Sequence, residues 1–484
     1  MRSHALLATV FHLTLAVAQL NPQTDTWNST YKLTTAQINA ANISSLTASL
    51  VDLAADFEQT NWATGSVLQD PFYTDIPSPA SGFPPGSLLK TQQFVNTSTY
   101  TLAPTLALSR ILFVTESLNG TYVPASAYIL WPRLPLAHGP QGNIPLVGWG
   151  HGTSGFLPEC APSHIRNLWY QFSGPYTLAL SGYAVVAPDY AGLGVNRNAN
   201  GKVVVSQPFA FPSAANDIIN AVKAAQAAFS NLSKDFVVVG HSLGGGAAWG
   251  VAQKMASSPV PGYLGTVAGS PVTNLTLQIQ VQGPESEIGF IEAARGFVSA
   301  YSNRIQLSDI LTPQGIRLLN LLEEVQGCNS VIDNLLAGLA AEGDPAKLLI
   351  TNDTFFSSDL YTEWIDTTSN GGKAIGGPLL VLQGTSDTTV PEVVTTTAVN
   401  QTCEIYSDSS LEYLRFQDVE HVPVMYASQR IWLQWIADRF AHKPVNKGCQ
   451  QQTYGQSSAP RPLQDYQGNL NYFLEYANQV YQTA

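Results

Sequence analysis

Charge is scarce in this 484-residue sequence. Asp, Glu, Lys and Arg make up 12% of it, about half the ~25% usual for a globular chain. Twenty-two basic residues stand against 34 acidic ones, a formal net charge of −12. That leaves no electrostatic footprint for a polyanion and excludes nucleic acid as a partner class. Long apolar runs are also lacking: past the first residues no segment approaches the ~20 apolar residues needed to span a bilayer. Cysteine is limited to Cys160, Cys328, Cys403 and Cys449, with no C-x-x-C pair and no His at zinc-ligand distance from any pair. No metal or organic cofactor is therefore implied. No internal repeat stands out.

Hydrophobic types reach 45%, enough for a globular core in one large domain or two modest ones. Ser, Thr, Asn and Gln abound, a balance that suits an extracellular chain kept soluble by neutral polar groups and glycans. Arg2, the apolar stretch Ala5 to Ala18 and the triplet Ala16-Val17-Ala18 have the layout of a cleaved secretory signal. His12 and two Thr interrupt that stretch, which argues against an anchor. Residues 1–18 are set aside from the fold, and secretion is expected. Sequons at Asn28, Asn42, Asn96, Asn119, Asn231, Asn274, Asn352 and Asn400 agree with that route. In an oxidising compartment four cysteines predict two disulfides, with three pairings open.

Residues 19–105 are rich in Asn, Thr, Ser and Pro and are expected to form an N-terminal arm packed on the core, irregular from Asp70 to Pro85. β-rich runs follow at Ile111 to Glu116, Ala127 to Trp131, Ile144 to Gly148, Tyr183 to Pro188, Phe236 to Gly240, Leu264 to Ser270, Leu379 to Gly384 and Leu411 to Phe416. Several are unbroken apolar runs, as strands buried on both faces require. Helical patterns lie between them, one capped by Ser213 and carrying Ile218, Ala221, Val222 and Ala225, another from Gly245 to Ser257. This alternation predicts an α/β fold with a mostly parallel central sheet and helices on both faces, its core formed by 106–273 and 371–444. Between 274 and 370 the strands vanish and helical spacing takes over at Ile316, Leu319, Leu322, Val325, Ile332, Leu335, Leu336 and Leu339. An insertion of that kind is read as a cap over an active site.

The chemistry centres on FVVVGHSLGGGAAW, residues 236–249. An apolar strand runs through Gly240-His241-Ser242-Leu243-Gly244 into a small-residue helix, the layout of an exposed nucleophile on a sharp strand-to-helix turn. A P-loop is disfavoured by the missing Lys-Ser/Thr ending. A serine needs a general base, and the base an orienting acid. His421, in a short loop after the strand Leu411 to Phe416, is the better base, and His442, beyond a helix from about Val424 to Phe440, the worse. Asp387 sits in the first loop past Leu379 to Gly384, with Asp418 as competitor. Ser, Asp, His is the α/β-hydrolase chain order. The backbone N–H of Leu243 is one expected oxyanion donor, and Thr153, with Gly152 as near alternative, the second. His151 is read as a brace for that loop, and His241 as a packing or shaping residue.

DPFYTDIPSP near Asp70, GHGTSG followed by ECAPS around Cys160, VVAPDYAGLG from Val185, GHSLGG and AGSPVTN from Ala268 together resemble the secreted fungal lipase family typified by lipase A. The match spans nearly the whole mature chain. The resemblance implies an α/β-hydrolase fold with a helical cap at 274–370 and a C-terminal flap at 445–484. It implies Ser242, Asp387 and His421 as a triad, and the pairings Cys160–Cys328 and Cys403–Cys449. One departure is that the prototype has an acidic residue in its oxyanion loop where this chain has GHGTSG, as other members do.

The expected activity is a serine ester hydrolase, a lipase or carboxylesterase acting on triacylglycerols or other lipid esters through an acyl-enzyme, working as a monomer at or near a lipid–water interface. The apolar cap positions suggest a greasy acyl pocket, although such a stripe is more often core. Three alternatives are carried: a short-chain acetylesterase of the same family, a serine exopeptidase of the same fold, and a non-catalytic binding protein on a hydrolase scaffold.

Overall fold

A computed structural model describes residues 31–77, 82–283 and 290–468. The expected signal segment and the sequon at Asn28 lie outside these residues. Ten strands form one sheet: β1 Leu88–Gln92, β2 Ala107–Glu116, β3 Tyr122–Trp131, β4 Ile144–Gly150, β5 Ala184–Pro188, β6 Leu232–His241, β7 Tyr263–Gly269, β8 Leu379–Gly384, β9 Leu411–Phe416 and β10 Cys449–Tyr454. Their order is β1-β2-β3-β5-β4-β6-β7-β8-β9-β10. The pairs from β1 through β5 are antiparallel, and those from β5 across to β10 are parallel. All eight expected strands are present, and the α/β-hydrolase expectation holds.

The unbroken apolar runs have the predicted cause. β8 and the inner half of β6 are buried on every residue because helices cover both faces. On one face Phe236, Val238 and Leu146 pack under the helices Phe211–Ala228 and Leu243–Ser257. On the other, Val237, Val239, Trp149, Tyr176, Trp432 and Ile436 form a second core. The helix expected to be capped by Ser213 starts two residues earlier, at Phe211, with Pro212 in its first turn, where the missing proline N–H costs no intrahelical bond. The helix expected from about Val424 to Phe440 is two, Pro423–Ala427 and Gln429–Phe440.

Between β7 and β8 the chain leaves the sheet and forms helices, including Leu275–Gln282, Phe290–Ala300, Pro313–Val325, Asn329–Ala341 and Asp359–Thr368. The expected N-terminal arm is divided between two partners. Its helices Thr35–Ala41 and Ser45–Thr60 share a core with this insertion, Val51 and Ala54 packing with Leu318, Leu322, Leu335 and Leu339. Glu58 clasps the joint by accepting from the N–H groups of Cys328 (2.8 Å) and Val331 (2.9 Å) at a helix start. Only the later part of the arm lies on the sheet, through β1 and through Phe72 and Tyr73 against Leu112. The region expected as a C-terminal flap also differs, because β10 extends the sheet beside β9 before the chain reaches Gly468.

Two disulfides join Cys160 to Cys328 and Cys403 to Cys449, the pairings implied by the resemblance. The first ties the segment after β4 to the helical insertion. The second ties the helix Glu392–Ile405 to β10.

Candidate active site

Parallel strands in register end at one edge of a sheet, so the residues that follow them are neighbours however far apart they lie in sequence. Gly150 of β4 and Ala268 of β7 flank Gly240 of β6, and Gly384 of β8 pairs with Phe416 of β9. His151 to Thr153, Ser242, Asp387 and His421 all follow these ends.

Ser242 joins β6 to the helix Leu243–Ser257 at φ 61° and ψ −125°, a conformation that costs ~1–3 kcal/mol for a residue with a side chain. The surroundings hold it there. Its N–H donates to the Gly269 carbonyl (2.9 Å), and its carbonyl accepts from the N–H groups of Gly246 (3.0 Å) and Val272 (3.1 Å). A Cβ on Gly240 would lie 2.0 Å from the Gly244 oxygen, and one on Gly244 2.0 Å from the Gly150 oxygen. Side chains are thus excluded at both flanking glycines, as the turn requires.

Asp387 and His421 meet directly. Asp387 Oδ1 accepts from the N–H groups of Thr389 (3.0 Å) and Val390 (2.7 Å), and Oδ2 accepts from Gln383 Nε2 (3.0 Å) and His421 Nδ1 (2.7 Å). Burial alone would raise the Asp387 pKa, but the adjacent imidazole and these donors outweigh it, holding the carboxyl below its ordinary value. An ionised Asp387 fixes the His421 proton on Nδ1 and leaves Nε2 as a base. Nε2 is buried with no hydrogen-bond partner. The rival acid Asp418 is exposed on the loop, its N–H directed to Thr385 Oγ1 (3.1 Å). The rival base His442 lies beyond the helix Gln429–Phe440, beside Asp235 near the start of β6.

His421 Nε2 has no partner, so the Ser242 hydroxyl is not bonded to it in this structure, and Tyr170 is a neighbour of Ser242. Tyr170 is a residue the sequence reading missed. Its hydroxyl stands 3.1 Å from His241 Nδ1, and His241 Nε2 stands 3.0 Å from the His421 carbonyl. Burial, reinforced by the nearby His421, pushes the His241 pKa down to about 3, so the ring is neutral and carries one proton. A carbonyl can only accept, which puts that proton on Nε2. Nδ1 must then accept from the Tyr170 O–H, which leaves a lone pair of the Tyr170 oxygen open to the neighbouring Ser242 hydroxyl. His241 therefore shapes the site as well as packing it: it holds the backbone of the candidate base and anchors Tyr170. Leu168, Trp169, Tyr170 and Gln171 all have positive φ (55°, 53°, 60° and 36°), and no glycine marks this turn in the sequence.

Gly152, Thr153 and Leu243, the expected oxyanion residues, line one small cavity. A Cβ on Gly152 would come 1.9 Å from the Tyr170 hydroxyl, so only glycine fits there. His151 acts as the expected brace: burial pushes it down to about 4, Nδ1 bonds the Gly152 carbonyl (2.7 Å), and Tyr190 donates to the His151 carbonyl (3.0 Å).

The expected greasy pocket in the cap is not found at the predicted stripe. Leu319, Leu322, Val325, Ile332, Leu335 and Leu339 are buried core, packed among themselves and against the N-terminal helices. A large groove of about 870 Å³ lies beside the loop that carries His421. Phe172, Phe416, Val419, Ile431, Leu463 and Tyr466 give it an apolar lining. The C-terminal segment forms one wall and is fastened to the loop by the Glu420 N–H, which donates to the Gly468 carbonyl (2.9 Å).

Comparison with known proteins agrees with this architecture. The family model described as secretory lipase matches residues 175–448. No curated protein matches the chain. Among solved structures, Candida antarctica lipase A in its closed state is similar at 15% identity with a TM-score of 0.63, covering 80% of this chain and 89% of that one. The rice cell wall degrading esterase LipA from Xanthomonas oryzae is similar at 17% identity with a TM-score of 0.55, covering 74% and 98%.

Proposed function

Because the chain belongs to the secretory lipase family and is an ester hydrolase, we propose that it cleaves acyl esters of medium to long chains, triacylglycerols among them, through an acyl-enzyme on Ser242. The supporting observation is the buried Asp387–His421 pair, bonded at 2.7 Å, at the same sheet edge as a serine held on a strained turn. In this reading Ser242 turns from Tyr170 to His421 Nε2 when the ester arrives. Its oxygen attacks the carbonyl carbon while Nε2 takes its proton, and the charge that develops on the carbonyl oxygen falls to the N–H groups of Leu243 and of Thr153 or Gly152. The imidazolium, steadied by Asp387, passes the proton to the leaving alcohol. Water then attacks the acyl-enzyme by the same route in reverse and frees the acid.

The groove beside the His421 loop is within the size range of pockets that bind small molecules, and its aromatic and aliphatic lining suits an acyl chain. The C-terminal segment would shield that chain and the helical insertion would roof the site. Secretion fits the family description, and among the described residues no helix is long and apolar enough to cross a membrane. One observation favours a second reading, a short-chain esterase: the cavity lined by Gly152, Thr153 and Leu243 is small. Turnover of p-nitrophenyl esters and triglycerides from acetyl to oleoyl separates the two. A rise toward the longer chains supports the groove, and a maximum at acetyl overturns it. Labelling by a fluorophosphonate must vanish in Ser242→Ala; labelling that persists there ends the proposed mechanism.

A further inference from the structure

Six histidines lie among the described residues, and four of them are buried: His151, His164, His241 and His421. The remaining two, His138 and His442, converge on one carboxylate. His138 Nε2 is 2.7 Å from Asp235 Oδ2, and His442 Nε2 is 3.6 Å from the same oxygen. One ligand atom from each of the three residues lies within 4.8 Å of the others. They come from three distant parts of the chain: the segment before β4, the start of β6, and the end of the helix Gln429–Phe440. No spacing in the sequence announces them.

We propose that His138, Asp235 and His442 bind a divalent first-row transition-metal cation such as Zn²⁺. Two imidazoles and a carboxylate suit that class, and Ca²⁺ and Mg²⁺ prefer all-oxygen sites. Ligand nitrogens and oxygens at ~2.0–2.2 Å from a tetrahedral ion stand a little over 3 Å apart, so the three atoms need only small movements to close on one. Two ligands are already oriented. The His138 backbone N–H donates to the Asn143 carbonyl (2.7 Å), fixing the segment, and the ring meets the edge of Phe440 at 5.2 Å. Asp235 extends from the sheet. His442 is the exposed member, its side chain 64% accessible, and its backbone supports the assignment.

His442 ends the helix at φ 50°. Its N–H donates to the Arg439 carbonyl and that of Lys443 to the Asp438 carbonyl, both at 2.9 Å, the paired bonds of a left-handed helix terminus that favours glycine or asparagine. Here a histidine occupies that position and directs its imidazole at Asp235. The neighbouring cation is already engaged, since Lys443 Nζ pairs with Asp438 at 2.8 Å. Three protein ligands leave a position for water, and the ion would pin the segment before β4, β6 and the last helix together. Asp235 and Ser242 are seven residues apart on an extended strand, roughly 20 Å at ~3.3 Å per residue, so the ion would not touch the reacting ester.

The experiment is calorimetric titration of the full mature chain, carrying no histidine tag, with ZnCl₂, and with CoCl₂ followed by visible absorption. The expected result is one equivalent bound near micromolar affinity (~10⁻⁶ M), a rise of several degrees in melting temperature that EDTA reverses, and binding at least ~10-fold weaker in His442→Ala and in His138→Gln. Ester turnover should be unchanged in His442→Ala, which also shows that the variant is folded. Equal titration by the natural chain and by both variants would place the ion elsewhere and overturn the assignment, as would no binding at ~100 μM metal. Zinc inhibition of ester turnover that survives in His442→Ala would point to His421 and would also overturn it.

Discussion

Replacing Tyr170 by phenylalanine removes one oxygen from the centre of the candidate site and keeps the ring. The contacts of that ring with Trp149, Trp169 and His241, at centroid distances of 5.9, 6.2 and 5.3 Å, survive. What disappears is the acceptor that the Tyr170 oxygen offers the neighbouring Ser242 hydroxyl in competition with His421 Nε2. A neutral hydrogen bond is worth ~0.5–1.5 kcal/mol net, so releasing Ser242 shifts it toward His421 by a factor of ~2–13 at 25 °C. The second-order rate of inactivation by a small fluorophosphonate reads this shift directly, because the reagent reports on the serine before any acyl chain must be accommodated. A several-fold rise in that rate is expected, with a parallel rise in kcat/KM for p-nitrophenyl butyrate. The variant also leaves His241 Nδ1 buried without its donor, at a cost of ~1–3 kcal/mol, so a lower urea midpoint should accompany the faster labelling. An unchanged rate would mean that Tyr170 does not restrain Ser242. A tenfold fall would mean that its hydroxyl assists the attack, and the resting arrangement argued above would be wrong.

Asp387→Asn keeps the shape of the acid but no longer fixes the His421 proton on Nδ1; kcat should fall ~10⁴-fold with KM little changed, and steady-state kinetics on a soluble ester with a circular dichroism control checks it. Glu292 is buried in the helical insertion with one carboxyl oxygen unpartnered, and burial, with Asp333 nearby, pushes its pKa up to about 8 from an ordinary 4.5. Because the folded value is the raised one, its contribution to stability is complete below pH 4.5 and is lost as pH climbs through 8. Urea midpoints should therefore drop between pH 5 and pH 8 more in the natural chain than in Glu292→Gln, and parallel curves would refute the assignment. The double change Cys160→Ser, Cys328→Ser removes a bridge between residues 168 apart in sequence and should cost ~2–5 kcal/mol of stability, measured by denaturation of both chains without reductant.

How far the sequence could be read depended on where the determining signal lay. Strands buried on both faces announce themselves as unbroken apolar runs, which is why Phe236 to Gly240 and Leu379 to Gly384 were legible with the loops that follow them. The turn at Ser242 is encoded locally by Gly240 and Gly244. β10 was not legible, because Cys449 to Tyr454 is an edge strand, half of it glutamine, with no apolar alternation. The apolar spacing of Leu319, Leu322 and Leu335 was visible, but periodicity states that a helix has a buried face and not what covers it. The cover is the helix Ser45–Thr60. Tyr170 was hidden because a run of left-handed residues without glycine carries its hydroxyl to Ser242. His138, Asp235 and His442 were hidden because only the finished fold brings them together.

The helical insertion is attached to the rest of the molecule by more than the two strands it interrupts. Cys160–Cys328 bolts it to the segment after β4, and Ser45–Thr60 grips it from outside, with Glu58 seated on the start of the helix Asn329–Ala341. If the insertion roofs the site as proposed, a roof fastened at four places cannot lift as one rigid plate. In that reading admission of a bulky ester falls to smaller pieces near the groove, and breaking Cys160–Cys328 should loosen the insertion in a way that an oil droplet alone does not.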